Sequence, residues 1–552
     1  MRQKRICLLL AALLLLGVLT GCGNKTETEE VNPNDIDVSD AVSGETLTSG
    51  QAADDVFTLS VDLEKSLNPI TTRSTLNQMV DNLVYDRLFE VDENFNVSSR
   101  ILEDWYYSVN DQGGSTWVLT VKDGIQMHDG SMLTAEDIRY TISRIFTSGS
   151  QFYQQQLGGA LYASTYQGQV YLSGEISNGL LPQRLSIPII KSVENSIKEN
   201  IPIGSGPYTF SEDLSCLQKF DGYEGAATLP VDTIYLRPYT DPESLITEYE
   251  SALVDLVIND PTSIYNMGYG GKNEKRVFPT TNFHFICFNS QSEFFQFEPY
   301  RQAINWLINQ DQVAKNALDD AVTPTKLPVH PNSSLYDETI ADDLSYDPQR
   351  GLMELEKGGC RDLDGDGMLE YAVSGGKREI EINFVVCADS AVKVQAARQI
   401  AEQLESVGLP IHLRELTWNE YIDALTVLED LDEDDDPPEW IWDMYYGEIV
   451  MTGDSDTRTL FTGNRKDDGT LNYGAWNLAG LETSVLSYLA ATDENRPAAT
   501  AEMLRAVVEN SVFIPICFEK REAISHIGVI KGMQPNQYDL FSGIANWTVK
   551  LK

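Results

Sequence analysis

The chain has 552 residues, with 84 Asp and Glu against 40 Lys and Arg and a formal net charge of −44. Such a surface repels nucleic acid, and the length exceeds what one hydrophobic core holds, so at least two lobes are expected. Seven cysteines without a C-x-x-C pair and five scattered histidines give neither a disulfide framework nor a zinc-ligand spacing.

Arg2, Lys4 and Arg5 precede an apolar run, Leu8 to Leu16, that is too short for a comfortable membrane span. Leu19-Thr20-Gly21-Cys22 follows and resembles a lipobox. Residues 1–21 are therefore expected to be a lipoprotein signal peptide, with Cys22 lipidated. An acylated N-terminus tethers a protein lastingly when two or more chains insert. Residues 22–54 are polar, acidic and nearly free of aromatics, as in a flexible tether. No later run is long enough to span a bilayer, so the mature body is expected to be soluble.

Val56 to Val61 alternates as a first strand. Leu67-Asn68-Pro69 is a turn, and Thr71, Thr72 and Ser74 precede an apolar helix around Leu83 to Leu88. Trp117 to Val121 alternates again, and Asp123-Gly124 and His128-Asp129-Gly130 are turns. Thr134 and Asp137 form a weak capping box opening a helix with Ile138, Ile142 and Ile145 on one face. Gly204-Ser205-Gly206-Pro207 is a structural turn into a strand at Tyr208; no Lys-Ser or Lys-Thr follows to make it a phosphate loop. Strands are expected at 233–239, 254–257 and 280–289, with a helix at 245–252.

Asp362, Asp364 and Asp366, followed by Gly367, have the spacing of an EF-hand start, but Val373 stands where the closing Glu belongs. The alternatives are a calcium site completed by Glu370 or Glu354, or an Asp/Gly turn. Ile380 to Val386, a helix with Val392, Ala396, Ile400 and Leu404 on one face, Gly408, and Ile411 to Leu416 make a β-α-β unit. The acidic run 429–436, closed by Pro437-Pro438, reads as an exposed loop. No nucleophile elbow, zincin, P-loop or dinucleotide motif occurs, and nothing favours an enzyme.

Several segments resemble, in order, the bacterial extracellular solute-binding proteins of family 5, the peptide receptors of ABC importers. They are Trp105, Leu119, Lys122, Gly124, His128-Asp129-Gly130 and Leu133 to Asp137, then Gly204 to Tyr208, then Arg301-Gln302-Ala303-Ile304-Asn305, then Asn472-Tyr473-Gly474. Met127 and Ile138 depart from the family's Phe and Val by apolar swaps. The resemblance implies an α/β, two-lobed periplasmic-binding-protein-like fold (type II, the large peptide-binding class) with a ligand cleft between lobes. Lobe I would take 55–284, with a reduced subdomain near 147–200, and would resume at 517–552; lobe II would take 285–516.

The resemblance also implies the site. Thr452-Gly453-Asp454 matches the family's Trp-x-Ala/Gly-Asp element, with Met451 in place of the Trp. Asp454 would pair a peptide's α-ammonium, with Asp456 the alternative if the alignment slips by two. A cation in a closed cleft needs such a carboxylate, because burying it unpaired costs roughly several kcal/mol. Tyr445, Tyr446, Asn68, Thr72 and Trp476 are further candidate ligand contacts. The implied partners are a peptide ligand, the permease and ATPase subunits of an ABC importer, and the membrane through the lipid anchor, but no nucleic acid. The protein is expected to be a monomer on the outer face of the cell membrane, with no cofactor beyond the candidate calcium at Asp362, Asp364 and Asp366. Two alternatives stay open: a receptor for a metal chelate, sugar or cationic small molecule on the same fold, or a surface lipoprotein with no transport role.

Overall fold

A computed structural model describes residues 54–552 apart from 111–113, 148–150, 160, 193–200, 264–265, 267, 271, 374–375, 427–440 and 464–470. The signal peptide, Cys22, all of the tether but Asp54, and the acidic run at 429–436 lie outside the described residues.

Two large apolar cores organise the chain. The first gathers side chains from Phe57 to Phe278 and again from Ala523 to Trp547. The second runs from Phe283 to Phe518. Chain passes between them only in two long strands, Asn273–Phe288 and Phe513–His526. These pair antiparallel along most of their length, with register shifts between Pro279 and Phe283 and between His284 and Phe285. On the first-core side Leu256–Asn259 flanks Phe513–His526. On the second-core side Met444–Val450 pairs with Asn273–Phe288, and Ile382–Cys387 and Ile411–Leu416 follow in parallel. One mixed sheet therefore runs continuously from one core into the other.

In the first body, Phe57–Val61 pairs parallel with Thr233–Pro238, and Cys216–Lys219 and Tyr208–Phe210 complete that sheet. Thr75–Val84 is a helix because Ser74 caps it, its side chain accepting the Asn77 N–H, and because Met79, Val80, Leu83 and Val84 all reach the core. The helix expected around 83–88 thus ends at Val84. Residues 85–89 turn extended instead, since the Leu88, Phe89 and Ile189 N–H groups bond to the carbonyls of Ile187, Leu185 and Asp86. Leu102–Val109 and Ser115–Val121 form a second sheet, which the hairpin Leu161–Tyr166 and Gln169–Gly174 widens to four strands. Gln167 and Gly168, both at positive φ, make its two-residue turn. The helix Ala135–Thr147 opens as its capping residues suggest: the Thr134 hydroxyl and N–H both donate to the Asp137 carboxylate, 2.7 Å each.

In the second body, Ala391–Glu405 lies in the expected β-α-β unit with Ala396, Ile400 and Leu404 buried, while Val392 is only partly covered. Of the five described cysteines, Cys216, Cys287, Cys360 and Cys517 are buried and Cys387 is partly covered.

Asp255 enters the first body beside Phe57–Val61, where one carboxylate oxygen accepts the Thr58 N–H at 2.8 Å and the other has no partner among the described residues. Burial raises its pKa to about 7, against which that hydrogen bond works only partly. A raised carboxyl pKa costs stability progressively as pH climbs from the ordinary value near 3.8 to about 7. Asp255→Asn keeps the acceptor and removes the charge. It is expected to unfold later than wild type in urea at pH 8, with the gap closing toward pH 4. An equal gap at both pH values would refute the assignment.

Candidate functional site

The loop after Met444–Val450 carries Asp454 out of the second body and into contact with the first. Asp454 is completely buried. Its Oδ2 accepts the Arg184 Nε–H at 2.5 Å and the Asn178 amide at 2.6 Å, and its Oδ1 accepts the Thr452 hydroxyl at 2.7 Å. The Tyr488 hydroxyl donates to its carbonyl at 2.8 Å. Asp456, two residues on, accepts Arg184 Nη2 at 3.0 Å and Arg458 Nη2 at 2.7 Å. Burial opposes the Asp456 charge, but the Arg458 hydrogen bonds and the charge of Arg184 outweigh it and hold its carboxyl below the usual range. Burial likewise works against the guanidinium of Arg184; Asp454 and Asp456 outweigh it and keep it charged.

Arg184 and Asn178 belong to the first body. Arg184 ends a short 3-10 turn, Leu181–Arg184, and Gly158, at φ +66°, leaves the space its guanidinium fills: a Cβ there would stand 1.6 Å from Nη1. Gly453 answers from the second body, where a Cβ would come within 2.4 Å of the Gln183 carbonyl oxygen. Beside them the Gly179 N–H donates to the Leu489 carbonyl at 2.7 Å. The seam between the bodies is thus a backbone-to-backbone approach with a buried arginine–carboxylate cluster at its centre.

The other expected ligand residues sit elsewhere. Tyr445 and Tyr446 are both buried in the second core; an alternating strand would turn one of them outward, but this strand is covered on both faces. Tyr445 packs against Phe285 and Trp442. Trp476 donates its indole N–H to the Phe288 carbonyl at 2.8 Å, and the Arg301 guanidinium stacks over its ring. Asn68 accepts the Ile70 N–H, and Thr72 the Ser74 N–H, in the turn before helix Thr75–Val84. Sequence reasoning missed Arg184, Asn178 and Arg458. Arg184 and Asn178 lie 270 and 276 positions from Asp454 in the chain, and no local pattern marks them.

Two further groups have cation chemistry. At the crossing strands, His284, Glu448 and Glu519 bring ligand atoms within 4.8 Å of one another. The His284 ring bonds the Tyr446 hydroxyl at 2.8 Å and Glu519 at 2.9 Å, Glu519 also accepts from Thr262 and Asn282, and Lys393 pairs with Glu448. Burial opposes a charge on His284, yet Tyr446, Cys517 and Glu519 outweigh it and hold the imidazolium well above the ordinary histidine range. Burial likewise opposes the Glu519 charge, and His284 outweighs it, so that carboxyl lies well below its usual range. In the Asp/Gly turn, Asp362, Asp364 and Glu370 are similarly close. Lys377 reaches both Asp364 and Glu370 at 2.6 Å, while Asp366 accepts the Met368 N–H.

Two α/β bodies joined by a pair of crossing strands and facing each other across a charged seam define a protein of the periplasmic-binding-protein fold. The model of the bacterial extracellular solute-binding proteins, family 5, matches residues 96–468. The chain belongs to that family, whose members are extracellular or periplasmic solute receptors of ABC importers. The oligopeptide-binding protein AppA of Bacillus subtilis is 23% identical over 80% of each chain. Its structure with a nonapeptide covers 91% of this chain and 99% of its own, with TM-score 0.55 and 18% identity. The murein tripeptide-binding protein MppA, in an unliganded open form, superposes with TM-score 0.69 at 14% identity, covering 91% and 98% of the two chains. NikZ of Campylobacter jejuni, solved with a nickel–L-histidine complex, superposes with TM-score 0.60 at 17% identity over 90% and 99%.

The His284–Glu519 pair lies where the two bodies meet. Removing one partner of a buried ion pair costs about 3–5 kcal/mol. Glu519→Gln is expected to lose roughly that much in urea unfolding at pH 6. The sign of the pH dependence follows from the two shifts. The raised His284 gives stability that fades as pH rises through its folded value, and the lowered Glu519 gives stability that fades as pH falls through its own. The gap between wild type and Glu519→Gln should narrow at both extremes; a pH-independent gap would mean the pair is uncharged.

Proposed function

We propose that this protein is a peptide receptor, capturing oligopeptides between two closing lobes and delivering them to the permease and ATPase subunits of an ABC importer. The observation that carries this reading is Asp454: a buried carboxylate, fixed by Thr452 and Asn178, at the place where the two bodies touch. A fixed anion in a dry seam suits a ligand ammonium, which exchanges water for a charge-assisted hydrogen bond. The oligopeptide- and tripeptide-binding relatives support the ligand class. In this reading lobe I is 55–284 with 517–552, lobe II is 285–516, and the crossing strands bend as the hinge. The protein hydrolyses nothing. Cys22 is the lipid anchor, residues 22–54 are the tether, and the receptor works as a monomer at the outer face of the cell membrane.

A second reading has one specific observation behind it. Arg184 already neutralises Asp454, so a ligand need not bring an amine, and the same fold holds a nickel–histidine complex in NikZ. Two experiments separate the readings. Native mass spectrometry of residues 26–552, purified without denaturation and then sprayed under denaturing conditions, should release short peptides of mixed sequence; a single non-peptide mass would move the assignment. Asp454→Asn should weaken binding of a free-amine tetra-alanine by about 2 kcal/mol or more, roughly thirtyfold, and abolish its preference over the N-acetylated form. Unchanged affinity would sink the ammonium assignment.

No cofactor is needed in this reading. The ammonium of Lys377 takes the cation's place in the Asp362–Glu370 turn. Calcium is therefore expected to leave the melting curve of the wild type unchanged, and Lys377→Met to acquire a calcium-dependent rise. Stabilisation of the wild type by millimolar calcium would restore the calcium site.

A further inference from the structure

Every acceptor position on Asp454 that faces the first body is taken by protein groups. Arg184 Nε and Asn178 Nδ2 converge on Oδ2, at 2.5 and 2.6 Å. The remaining donors of Arg184 reach Asp456 at 3.0 Å and the Leu157 carbonyl at 3.3 Å. Arg184 is 2% exposed and Asp454 not at all. Arg184 stands on the first body and both carboxylates on the second, so this cation bridges the same two surfaces that a bound ligand would bridge. We propose that Arg184 is a specificity-determining residue: an internal cation that occupies the Asp454 carboxylate and must be displaced by the cationic group of a ligand.

The proposal rests on the reading of Asp454 as the ammonium anchor, and three features of the seam support the competition. The guanidinium lies in a purpose-shaped space, since Gly158 at positive φ is the residue a side chain would fill. Asp456 has a second arginine, Arg458, bonded through both Nε and Nη2, so it stays compensated when Arg184 leaves. Among the described residues Asp454 has no second cation bonded to it: without Arg184 its carboxylate keeps, of those residues, the neutral donors Asn178 and Thr452, which is the state a ligand ammonium would complete. Displacement of Arg184 is then a toll on every ligand that uses Asp454. It falls hardest on ligands whose only strong contact is the amine, and selects those that add contacts elsewhere along their length. It also means that the two bodies hold together through Arg184 before any ligand arrives.

Removing the competitor should do two things. Protein stripped of ligand by unfolding and refolding is compared by small-angle X-ray scattering as wild type, Arg184→Gln and Arg184→Lys. Wild type should be compact, Arg184→Gln should have the larger radius of gyration, and Arg184→Lys should lie between. Affinity for free-amine tetra-alanine should rise about tenfold in Arg184→Gln, with no rise for the N-acetylated peptide. Arg184→Lys, which keeps the charge, guards against a Gln variant that fails to fold, and urea unfolding checks each variant. An open ligand-stripped wild type, or variants that scatter and bind as wild type does, would overturn the proposal. If Asp454→Asn leaves tetra-alanine binding untouched while Arg184→Gln still opens the protein, the ammonium reading has failed and only the bridge between the bodies stands.

Discussion

The antiparallel pairing of Asn273–Phe288 with Phe513–His526 is the constraint on which the rest of the architecture depends. Because these strands belong to one sheet, the two bodies cannot drift independently. The ladder is irregular between Pro279 and Phe285, which is where the hinge of the proposed closure would bend. The same irregularity places Thr280 against the Glu519 carbonyl, Asn282 on its carboxylate and His284 beside it. A buried, fully bonded polar cluster at a bending point discourages arbitrary distortion, since any displacement that breaks one bond leaves a charge unpaired in the interior.

Away from that axis, the bodies meet through both polar and apolar contacts: Ile176 and Leu180 of the first body pack against the second core, and Phe95 against His330. Gly453 against Gln183 and Gly179 against Leu489 are main-chain approaches with little apolar area of their own. The arginine–carboxylate cluster is the charged, buried part of this seam. Its charges balance: Arg184 and Arg458 against Asp454 and Asp456. A seam held by balanced charges can be reopened by substituting one ion for another of the same sign, whereas an apolar seam would have to expose its surface to water.

Much of the fold was legible from periodicity. The strands at 57–61, 115–121, 382–387 and 411–416 and the helix at 391–405 follow from alternation or from a four-residue apolar spacing. Where the reading failed, tertiary pairing won. The apolar run after Leu83 looks helical by composition, but residues 85–89 are drawn into extended pairing with 185–189. Tyr445 and Tyr446 could not both be assigned to an interior from a period of two, because that rule presumes one wet face, and the central strand of a covered sheet has none. The carboxylate at Asp454 was marked by its motif, but its partner was not. An arginine at the end of a 3-10 turn carries no periodic signal, and pairing across 270 positions is a property of the closed fold alone.

The composition gives these pairings their meaning. Acidic residues outnumber basic ones 84 to 40, so a cation placed in the interior is one withheld from an already negative surface. Arg184 at the seam, Lys393 at the crossing strands and Lys377 in the Asp/Gly turn each meet a carboxylate in a group that would otherwise attract an outside cation. A chain this acidic is exposed to adventitious capture of metal ions and amines wherever carboxylates converge. A built-in arginine or lysine fills such a place with a cation that cannot diffuse away, and whose removal must be driven by a ligand with more to offer than charge. In the Asp/Gly turn Lys377, Asp364 and Glu370 all belong to the second body, and the substitution is structural; at the crossing strands Thr262 of the first body also reaches Glu519. At Asp454 the seat lies between two bodies, and in the proposed reading the same device becomes a criterion of which ligands can close the protein around themselves.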